Sequence, residues 1–371
     1  MKKTVKVLLV FALTLTFAFL ICSCNLRHSE DNAPTDGTPT EDNRIECDGY
    51  TLTVNGTVLE DISFTQHGTA VRVVIPEGIT EVSPEAGRRL LTAVSLTIPT
   101  TLEKFGYVVY IDTFGMPESF GIGVPTPKLT EIYDLSPHFD FDLENARYST
   151  SLNYNLRVIH KSLDEPSILT EKDGFMFCHT EDQTFLVGMT EAKSDLILPT
   201  NYDEKTPYTL AWFAFANCNF IKSVTIPEGI TSISTCCFSG SRGIERVNLP
   251  STLQTIEREA FYQNISLSEI VFPEGVERIE MYAFCRCTKL SKITFPDSLA
   301  YIGENAFEGC NPKEPELIWN YTGDWKVTHA DKKTETLTRE HFDNVKKLAI
   351  DYVFAGYSHC TIEKLPPYSE D

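Results

Sequence analysis

The eleven cysteines and eight histidines are the residues with the most specific chemistry in this chain. A thiol beside an imidazole can act as a nucleophile, because the ring can accept the thiol proton. Two such pairs occur, Cys178-His179 and His359-Cys360. Adjacent residues of a strand point to opposite faces, so Cys178 and His179 should not serve each other. No nucleophile elbow, phosphate loop or HExxH motif occurs. The sequence therefore predicts no catalytic residue and favours a protein that is not an enzyme.

Two cysteine groups have the spacing of half a zinc site, Cys236-Cys237 and Cys285-x-Cys287. A closed zinc site needs four ligands, and no second cysteine pair or histidine lies at ligand spacing in the adjoining sequence. We therefore predict no metal site and no cofactor.

The N-terminus has the pattern of an export signal. Three lysines precede an uncharged apolar run from Val7 to Ile21, which is too short to span a membrane. The following Ile21-Cys22-Ser23-Cys24 resembles the bacterial lipobox, which implies lipid attachment at Cys24. Cys22 fits less well, because the bulky Ile21 would adjoin the cleavage point. A plain secretory signal with an incidental cysteine is the alternative.

A polar segment, 25–46, follows and is too poor in apolar residues to fold. We interpret it as a tether that holds the folded part about 25 Å from the lipid. The formal net charge of −20 argues against nucleic acid and against direct adhesion to anionic lipid. The membrane should therefore be contacted through the lipid anchor alone.

The dominant feature of the sequence is a repeat of 23 residues. This repeat must position the cysteines that lie within it. Each unit places apolar residues two apart, as on one face of a short strand, and then has a proline that ends the strand. One such unit cannot close a core, whereas stacked copies bury a continuous apolar column. The columns in register are Phe215, Phe238, Phe261, Phe284 and Phe307; Pro227, Pro250, Pro273 and Pro296; and Ile233, Ile256, Ile279 and Ile302.

Segments such as "IPEGITSISTCCFSG" and "FPEGVERIEMYAFCRC" resemble the BspA-like class of leucine-rich repeats on bacterial surface proteins. The resemblance is strong over about residues 195–310, and a weaker copy spans Phe64, Pro76 and Pro99. It implies a leucine-rich-repeat solenoid, β-rich, with short parallel strands and short helical or 3-10 turns in each 23-residue rung. It also implies a surface that binds other proteins.

Two regions, 100–195 and 311–336, depart from the period. In 100–195, the sequence "KDGFMFCHTEDQTFLVGM" predicts a β-hairpin around Thr180–Gln183. In the tail, Phe354 and Pro366 keep the Phe-to-Pro distance of the repeat, which indicates a degenerate final copy. The predicted organisation is 1–23 signal peptide, 24–46 lipidated cysteine and tether, 47–105 N-terminal cap with degenerate repeats, 106–195 irregular insertion with the hairpin, 196–310 regular repeats, and 311–371 C-terminal cap.

Three cysteines, Cys218, Cys287 and Cys310, occupy one repeat column that elsewhere holds Ser241 and Asn264. Such a column of small residues indicates buried packing groups. Neighbouring rungs would also allow a disulfide between Cys287 and Cys310.

The outward positions of the strands form the candidate binding face. Its members are of mixed polarity. The charged members alternate in sign from rung to rung, which is also expected if they only form ion pairs with one another. We predict a platform for a protein ligand, such as a host matrix protein or a bacterial surface protein. The alternatives are an envelope glycan module, favoured if Trp319, Tyr321 and Trp325 are exposed rather than covering the end of the stack, and a hydrolase in 100–195. The predicted face comprises Ser223, Thr225, Arg246, Asn248, Glu269, Val271, Lys292 and Thr294.

Overall fold

The structure is a computed structural model that describes residues 43–66, 68–90, 92–106, 129–137, 158–310, 316–319, 324–329, 331–337 and 361–364. It divides into two compact units. The first unit takes its described residues from Met1–Gln66, Val71–Ser119 and Leu129–Pro166, and the second from His67–Ala70, Phe120–Lys128 and Ser167–Asp371. Within the described ranges, no helix has the length and apolar character needed to cross a membrane.

The first unit contains nine strands and one helix among its described residues. They are β1 (Arg44–Cys47), β2 (Tyr50–Asn55), β3 (Val58–Phe64), β4 (Arg72–Val74), β5 (Glu81–Val82), α1 (Pro84–Leu90), β6 (Ser95–Ile98), β7 (Lys104–Phe105), β8 (Glu131–Asp134) and β9 (Val158–His160).

Two sheets built from these strands enclose the core of the first unit. One has the order β1-β2-β3-β5-β7 and the other β4-β6-β8-β9. Arg72 pairs in parallel with Ser95, a shift of 23 residues, so the weak front repeat predicted around Pro76 and Pro99 is confirmed. The middle residues Val73, Leu96 and Ile132 are buried between the sheets because each strand turns one face inward.

Two predicted boundaries in this unit need correction. The tether was expected to reach Glu46, but β1 begins at Arg44 and pairs antiparallel with β2. The segment 106–195 was interpreted as an irregular insertion, yet β8 and β9 extend the parallel ladder of β6. The rungs continue there because a ladder requires strands in register and tolerates connections of unequal length.

The second unit contains seventeen strands among its described residues. They are β10 (Leu169–Lys172), β11 (Phe175–His179), β12 (Thr184–Met189), β13 (Asp195–Ile197), β14 (Thr209–Leu210), β15 (Ser223–Thr225), β16 (Ser232–Ile233), β17 (Arg246–Asn248), β18 (Thr255–Ile256), β19 (Glu269–Val271), β20 (Arg278–Ile279), β21 (Lys292–Phe295), β22 (Tyr301–Ile302), β23 (Glu316–Trp319), β24 (Trp325–Thr328), β25 (Thr334–Leu337) and β26 (Thr361–Lys364).

Each regular rung of this unit supplies one strand to each of two parallel ladders. The first ladder consists of the sheets β13-β15-β17 and β19-β21-β23, and the second runs β16-β18-β20-β22. Every pairing of β15 to β22 within these sheets joins residues 23 apart, for example Val224 with Val247. The predicted 23-residue solenoid of short parallel strands is therefore confirmed.

The core of these rungs is a set of buried columns. Each fully buried Ile, Leu or Phe side chain contributes roughly 1.5–3 kcal/mol relative to its exposed state. The Phe rings of neighbouring rungs stack with centroids 5.1–5.3 Å apart. The completely buried columns are Phe215, Phe238, Phe261, Phe284 and Phe307, together with Ile221, Ile244, Leu267 and Leu290.

The bend between the second ladder and the next rung is a run of turns. It includes two columns of left-handed residues, which break the run before a regular helix can form. In the first unit, α1 occupies the equivalent place after β5 and is helical. The left-handed columns are Phe213, Cys236, Glu259, Tyr282 and Asn305, and Asn217, Gly240, Gln263, Arg286 and Gly309.

The predicted hairpin is confirmed, since β11 and β12 pair antiparallel around residues 180–183. Sequence reasoning missed β10, which pairs antiparallel with β11 through a turn at Asp173 and Gly174. The two turn residues have positive φ, as tight hairpin turns require.

The C-terminal strands differ from the predicted final repeat. In a repeat, the strand before the proline pairs in parallel within the first ladder. Here β26, which precedes Pro366, instead pairs antiparallel with β22 and with β24. The strand thus covers the end of the second ladder and does not continue the first. Phe354 itself lies outside the described residues.

Candidate functional site

The eight residues predicted for the binding face lie on β15, β17, β19 and β21. The middle residue of each strand points into the core, and the residues on either side of it point outward. Arg246, Asn248, Glu269 and Val271 are exposed, whereas the remaining members are half-buried. The register aligns Ser223 with Arg246, Thr225 with Asn248, Glu269 with Lys292, and Val271 with Thr294.

The column of Ser223, Arg246, Glu269 and Lys292 is mostly charged, and some of its residues form ion pairs with one another. The Lys292 ammonium lies 2.7 Å from the Glu269 carboxylate on the adjacent rung. Arg246 contacts its chain neighbour Glu245 at 3.5 Å. The Ser223 hydroxyl donates a hydrogen bond to Asp195. Exposed ion pairs of this kind contribute little to folding, so the groups keep their capacity to bind a partner.

The second column is mostly uncharged and carries apolar surface. The Asn248 amide donates to the Thr225 hydroxyl at 3.1 Å. Val271 is 52% exposed and is therefore an apolar side chain on the outward face. This column therefore combines an apolar contact point with hydrogen-bonding groups.

Sequence reasoning missed the first rung of the face, formed by Asp195 and Ile197 on β13. Ile197 is 67% exposed and pairs in register with Thr225, 28 residues later. Five extra residues after β13 break the 23-residue spacing there. The signal that could have identified this rung is "LILP" at 196–199, which has the pattern of "VTIP" at 224–227.

The cysteine column has a structural role, as its register indicates. Four of its members donate a hydrogen bond to a backbone carbonyl of the rung before them, whereas Cys218 donates to Gly68 O at 3.3 Å. Ser241 donates to Phe215 O at 2.6 Å and Asn264 to Phe238 O at 2.9 Å. Cys287 and Cys310 do the same at 3.1 Å and 3.2 Å. These thiols fill a position that any small donor can occupy.

The remaining thiols of the repeats are also poor nucleophiles. Burial raises the pKa of Cys236 well above its usual value and that of Cys285 to about 12. The thiols therefore stay protonated at neutral pH, whereas the thiolate is the reactive form. Among the residues that the structure describes, no group of three or more His, Cys, Asp or Glu could hold a metal ion.

The Cys178-His179 pair is separated, as alternation along β11 predicts. Cys178 is buried, while the His179 ring contacts the hydroxyls of Thr170 at 2.7 Å and Thr184 at 3.1 Å. Burial lowers the pKa of His179, and the negative charge of Asp203, which by itself would raise this pKa, offsets only part of the effect. The second pair, His359-Cys360, and the predicted lipid site Cys24 lie outside the described residues.

A polar cluster in the first unit bears on the hydrolase alternative. The His160 ring lies between the carboxylates of Glu131, at 3.1 Å, and Glu165, at 3.2 Å. The Tyr133 ring stacks on it at 4.5 Å. The Ser95 hydroxyl donates to Glu131 at 3.3 Å instead of to the histidine. A serine nucleophile needs the base itself as its partner, so these contacts do not form a catalytic dyad.

The aromatic residues proposed to cover the end of the stack are described only in part. Trp325 is completely buried on β24. Trp319 lies on β23, which pairs in parallel with β21 and places it opposite Phe295. Tyr321 lies outside the described residues. Burial of Trp325 agrees with a covering role, since a ring that stacks on a sugar must be accessible.

Comparison with known proteins identifies the repeats. Residues 208–321 match the sequence model of the BspA type leucine rich repeat region, in six copies. A search of curated proteins found no match.

Several solved structures are similar to parts of the chain. A Treponema pallidum leucine-rich repeat protein is 27% identical with a TM-score of 0.35, over 37% of this chain and 65% of that one, slightly less than two thirds of its length. A leucine-rich repeat protein from Bacteroides capillosus is 20% identical with a TM-score of 0.31, over 34% and 97% of the two chains. The pneumococcal vaccine antigen PcpA is 19% identical with a TM-score of 0.33, over 73% and 82%. From the matched region and the rungs described above, we conclude that residues 208–321 are leucine-rich repeats of the BspA type.

Proposed function

We propose that this protein is a bacterial cell-surface lipoprotein that binds another protein through the outward face of its first ladder. The observation that carries the proposal is the exposure of Ile197 and Val271 on the outward side of the first ladder, whose inward side packs on the buried core. Because stacked rungs hold the face rigid, little conformational freedom would be lost on association. The family of the repeats supports a general role in binding, and it does not identify a partner.

The surroundings of the two apolar residues favour protein over other partners. Hydrogen-bonding groups, Thr225 and Asn248, lie on the two rungs between them in the same column. A charged column with both signs runs beside it. Apolar contacts surrounded by polar groups are typical of protein interfaces, where a few central residues supply most of the binding energy.

The test is a binding screen with purified protein against a panel of extracellular-matrix proteins and envelope glycans. The double variant Asn248→Arg/Thr294→Arg places two bulky cations on the face. The variant Gln254→Arg is the matched control, because Gln254 is exposed just before β18 on the other ladder. We expect a protein ligand that the double variant loses and the control keeps. Glycan binding alone, or equal binding by all three proteins, would refute the proposal.

Export and anchoring are proposed from the N-terminal pattern. This pattern is the apolar run from Val7 to Ile21, which ends in the lipobox-like Ile21-Cys22-Ser23-Cys24. The test is metabolic labelling of the expressed protein with a radioactive fatty acid. We expect label on the wild type and on Cys22→Ser, and none on Cys24→Ser. Label that persists in Cys24→Ser would place the anchor elsewhere.

A further inference from the structure

The cysteine column changes character at its C-terminal end. In the described rungs, Cys218 is followed in the column by Ser241 and then Asn264, so it has no cysteine on the next rung. Cys287 and Cys310 then occupy consecutive rungs. Both are buried, and both are reduced thiols in the structure.

The backbone holds these two rungs at a spacing that suits a disulfide. Arg286 N, one residue before Cys287, donates a hydrogen bond to Glu308 O, two residues before Cys310, at 2.6 Å. The rings of Phe284 and Phe307 stack at 5.2 Å with an interplanar angle of 2°. Strands at hydrogen-bonding distance lie about 4.8 Å apart, which falls within the range of roughly 4.4–6.8 Å that disulfides span between Cα atoms.

The two thiols occupy equivalent places on neighbouring rungs. Each donates to a carbonyl of the preceding rung, and the carbonyl that Cys310 contacts, Phe284 O, belongs to the rung of Cys287. A disulfide would replace these two carbonyl hydrogen bonds, because each side chain would turn about its Cα–Cβ bond toward the other.

We propose that Cys287 and Cys310 form a cross-rung disulfide when the chain folds in the presence of a disulfide oxidant such as oxidised glutathione. One thiolate attacks the oxidant, forms a mixed disulfide and releases one equivalent of reduced thiol. The second thiolate displaces the remaining half of the oxidant. The two cysteines lose two electrons and two protons, and the oxidant is reduced to two thiols.

Burial decides when this exchange can occur. In the closed stack, neither thiol is accessible to an oxidant, and exchange requires a thiolate. The bond should therefore form while the last regular rung is still open, during folding or transient local opening. Once closed, it would link the last two regular rungs covalently.

The experiment refolds the full chain with a mixture of oxidised and reduced glutathione, alkylates free thiols in denaturant, and maps the peptides by mass spectrometry. We expect a linked pair of peptides containing Cys287 and Cys310. We also expect a thermal midpoint about 5–10 °C above that of the reduced protein, because the crosslink restricts the unfolded chain. The oxidised wild type should have two fewer alkylatable thiols than the reduced wild type, and the same number as oxidised Cys287→Ser/Cys310→Ser.

Serine substitutions keep the test interpretable, because Ser241 already fills this column and makes the same carbonyl hydrogen bond at 2.6 Å. The matched control is Cys218→Ser, which alters the same column without touching the pair and should retain the linked peptides. Full alkylation of Cys287 and Cys310 after oxidative refolding, or a linkage of Cys310 to Cys285, would overturn the proposal.

Discussion

The turn after β15 is hydrogen-bonded to the turn of the next rung. The Glu228 carboxylate accepts hydrogen bonds from Ser251 N at 2.9 Å, Ser251 Oγ at 3.0 Å and Thr252 N at 3.2 Å. In return, the Thr252 hydroxyl accepts from Gly229 N at 2.9 Å. The sequence predicts a turn at Pro-Glu-Gly, but these partners are 23 or 24 residues away and are brought together only when the rungs are stacked.

Replacement of Glu228 by Gln should lower stability in a way that depends on pH. Backbone and hydroxyl hydrogen bonds from Ser251 lower the pKa of Glu228. A carboxyl with a lowered folded-state pKa stabilises the fold above its unfolded pKa, and loses this effect as the pH falls through the lowered value. The measurement is the urea midpoint of wild type and variant at neutral pH and at about pH 3.

We expect a lower midpoint for Glu228→Gln at neutral pH and a smaller difference from wild type in acid. The control is Glu204→Gln, a change of an exposed carboxyl in the insertion after β13. A difference between wild type and Glu228→Gln that is the same at both pH values would contradict the role assigned to this carboxylate.

Substitutions of Arg286 test the backbone conformation of the left-handed column to which this residue belongs. Its φ is 60°, and the same column holds glycine at Gly240 and Gly309. Side chains strain this conformation, and β-branched ones strain it most. We expect Arg286→Gly to match or exceed wild-type stability by up to about 1 kcal/mol, and Arg286→Val to lose about 1 kcal/mol or more. Denaturant unfolding measures both, and equal stability of the two variants would contradict this backbone assignment.

At the scale of elements, the strands of 223–295 were predictable because three signals coincide. Apolar residues two apart define the buried face, a proline ends the strand, and the period fixes the register. The β11–β12 hairpin was predictable from alternation alone. By contrast, β8, β9 and β26 lack the repeat spacing, and their pairing is decided by contacts between distant segments. The outward columns could be predicted for the same reason as the strands, whereas β13 was missed because five residues displace it.

The Phe stack is the element on which the regular rungs depend. Phe261 is completely buried between Phe238 and Phe284, with centroid distances of 5.3 Å and 5.1 Å. Phe261→Ala should cost about 3–5 kcal/mol, since the rungs on either side cannot collapse into the cavity. Denaturant unfolding followed by circular dichroism gives this value. Thr294→Ala, on the outward face, should change stability by no more than about 0.5 kcal/mol. Equal losses for both variants would be inconsistent with the buried column.

At the scale of the whole molecule, buried side chains stabilise the rungs, and other side chains of the same rungs form the proposed binding face. Core columns such as Phe261 hold the rungs in register, and the outward columns are available to a partner. The family match supports the general role of the repeats, and neither it nor the fold identifies the ligand. The ligand must therefore be identified by binding, with variants that leave the core unchanged.

The most direct test of the binding face is the dissociation constant of a protein ligand identified in the screen, measured for wild type, Val271→Arg and the off-face control Gln254→Arg. Val271 is 52% exposed, so arginine there should leave the thermal midpoint unchanged. We expect Val271→Arg to weaken binding at least about tenfold, the effect typical of a central contact residue, and Gln254→Arg to bind like wild type. An unchanged dissociation constant for a folded Val271→Arg protein would contradict the assignment of binding to this face.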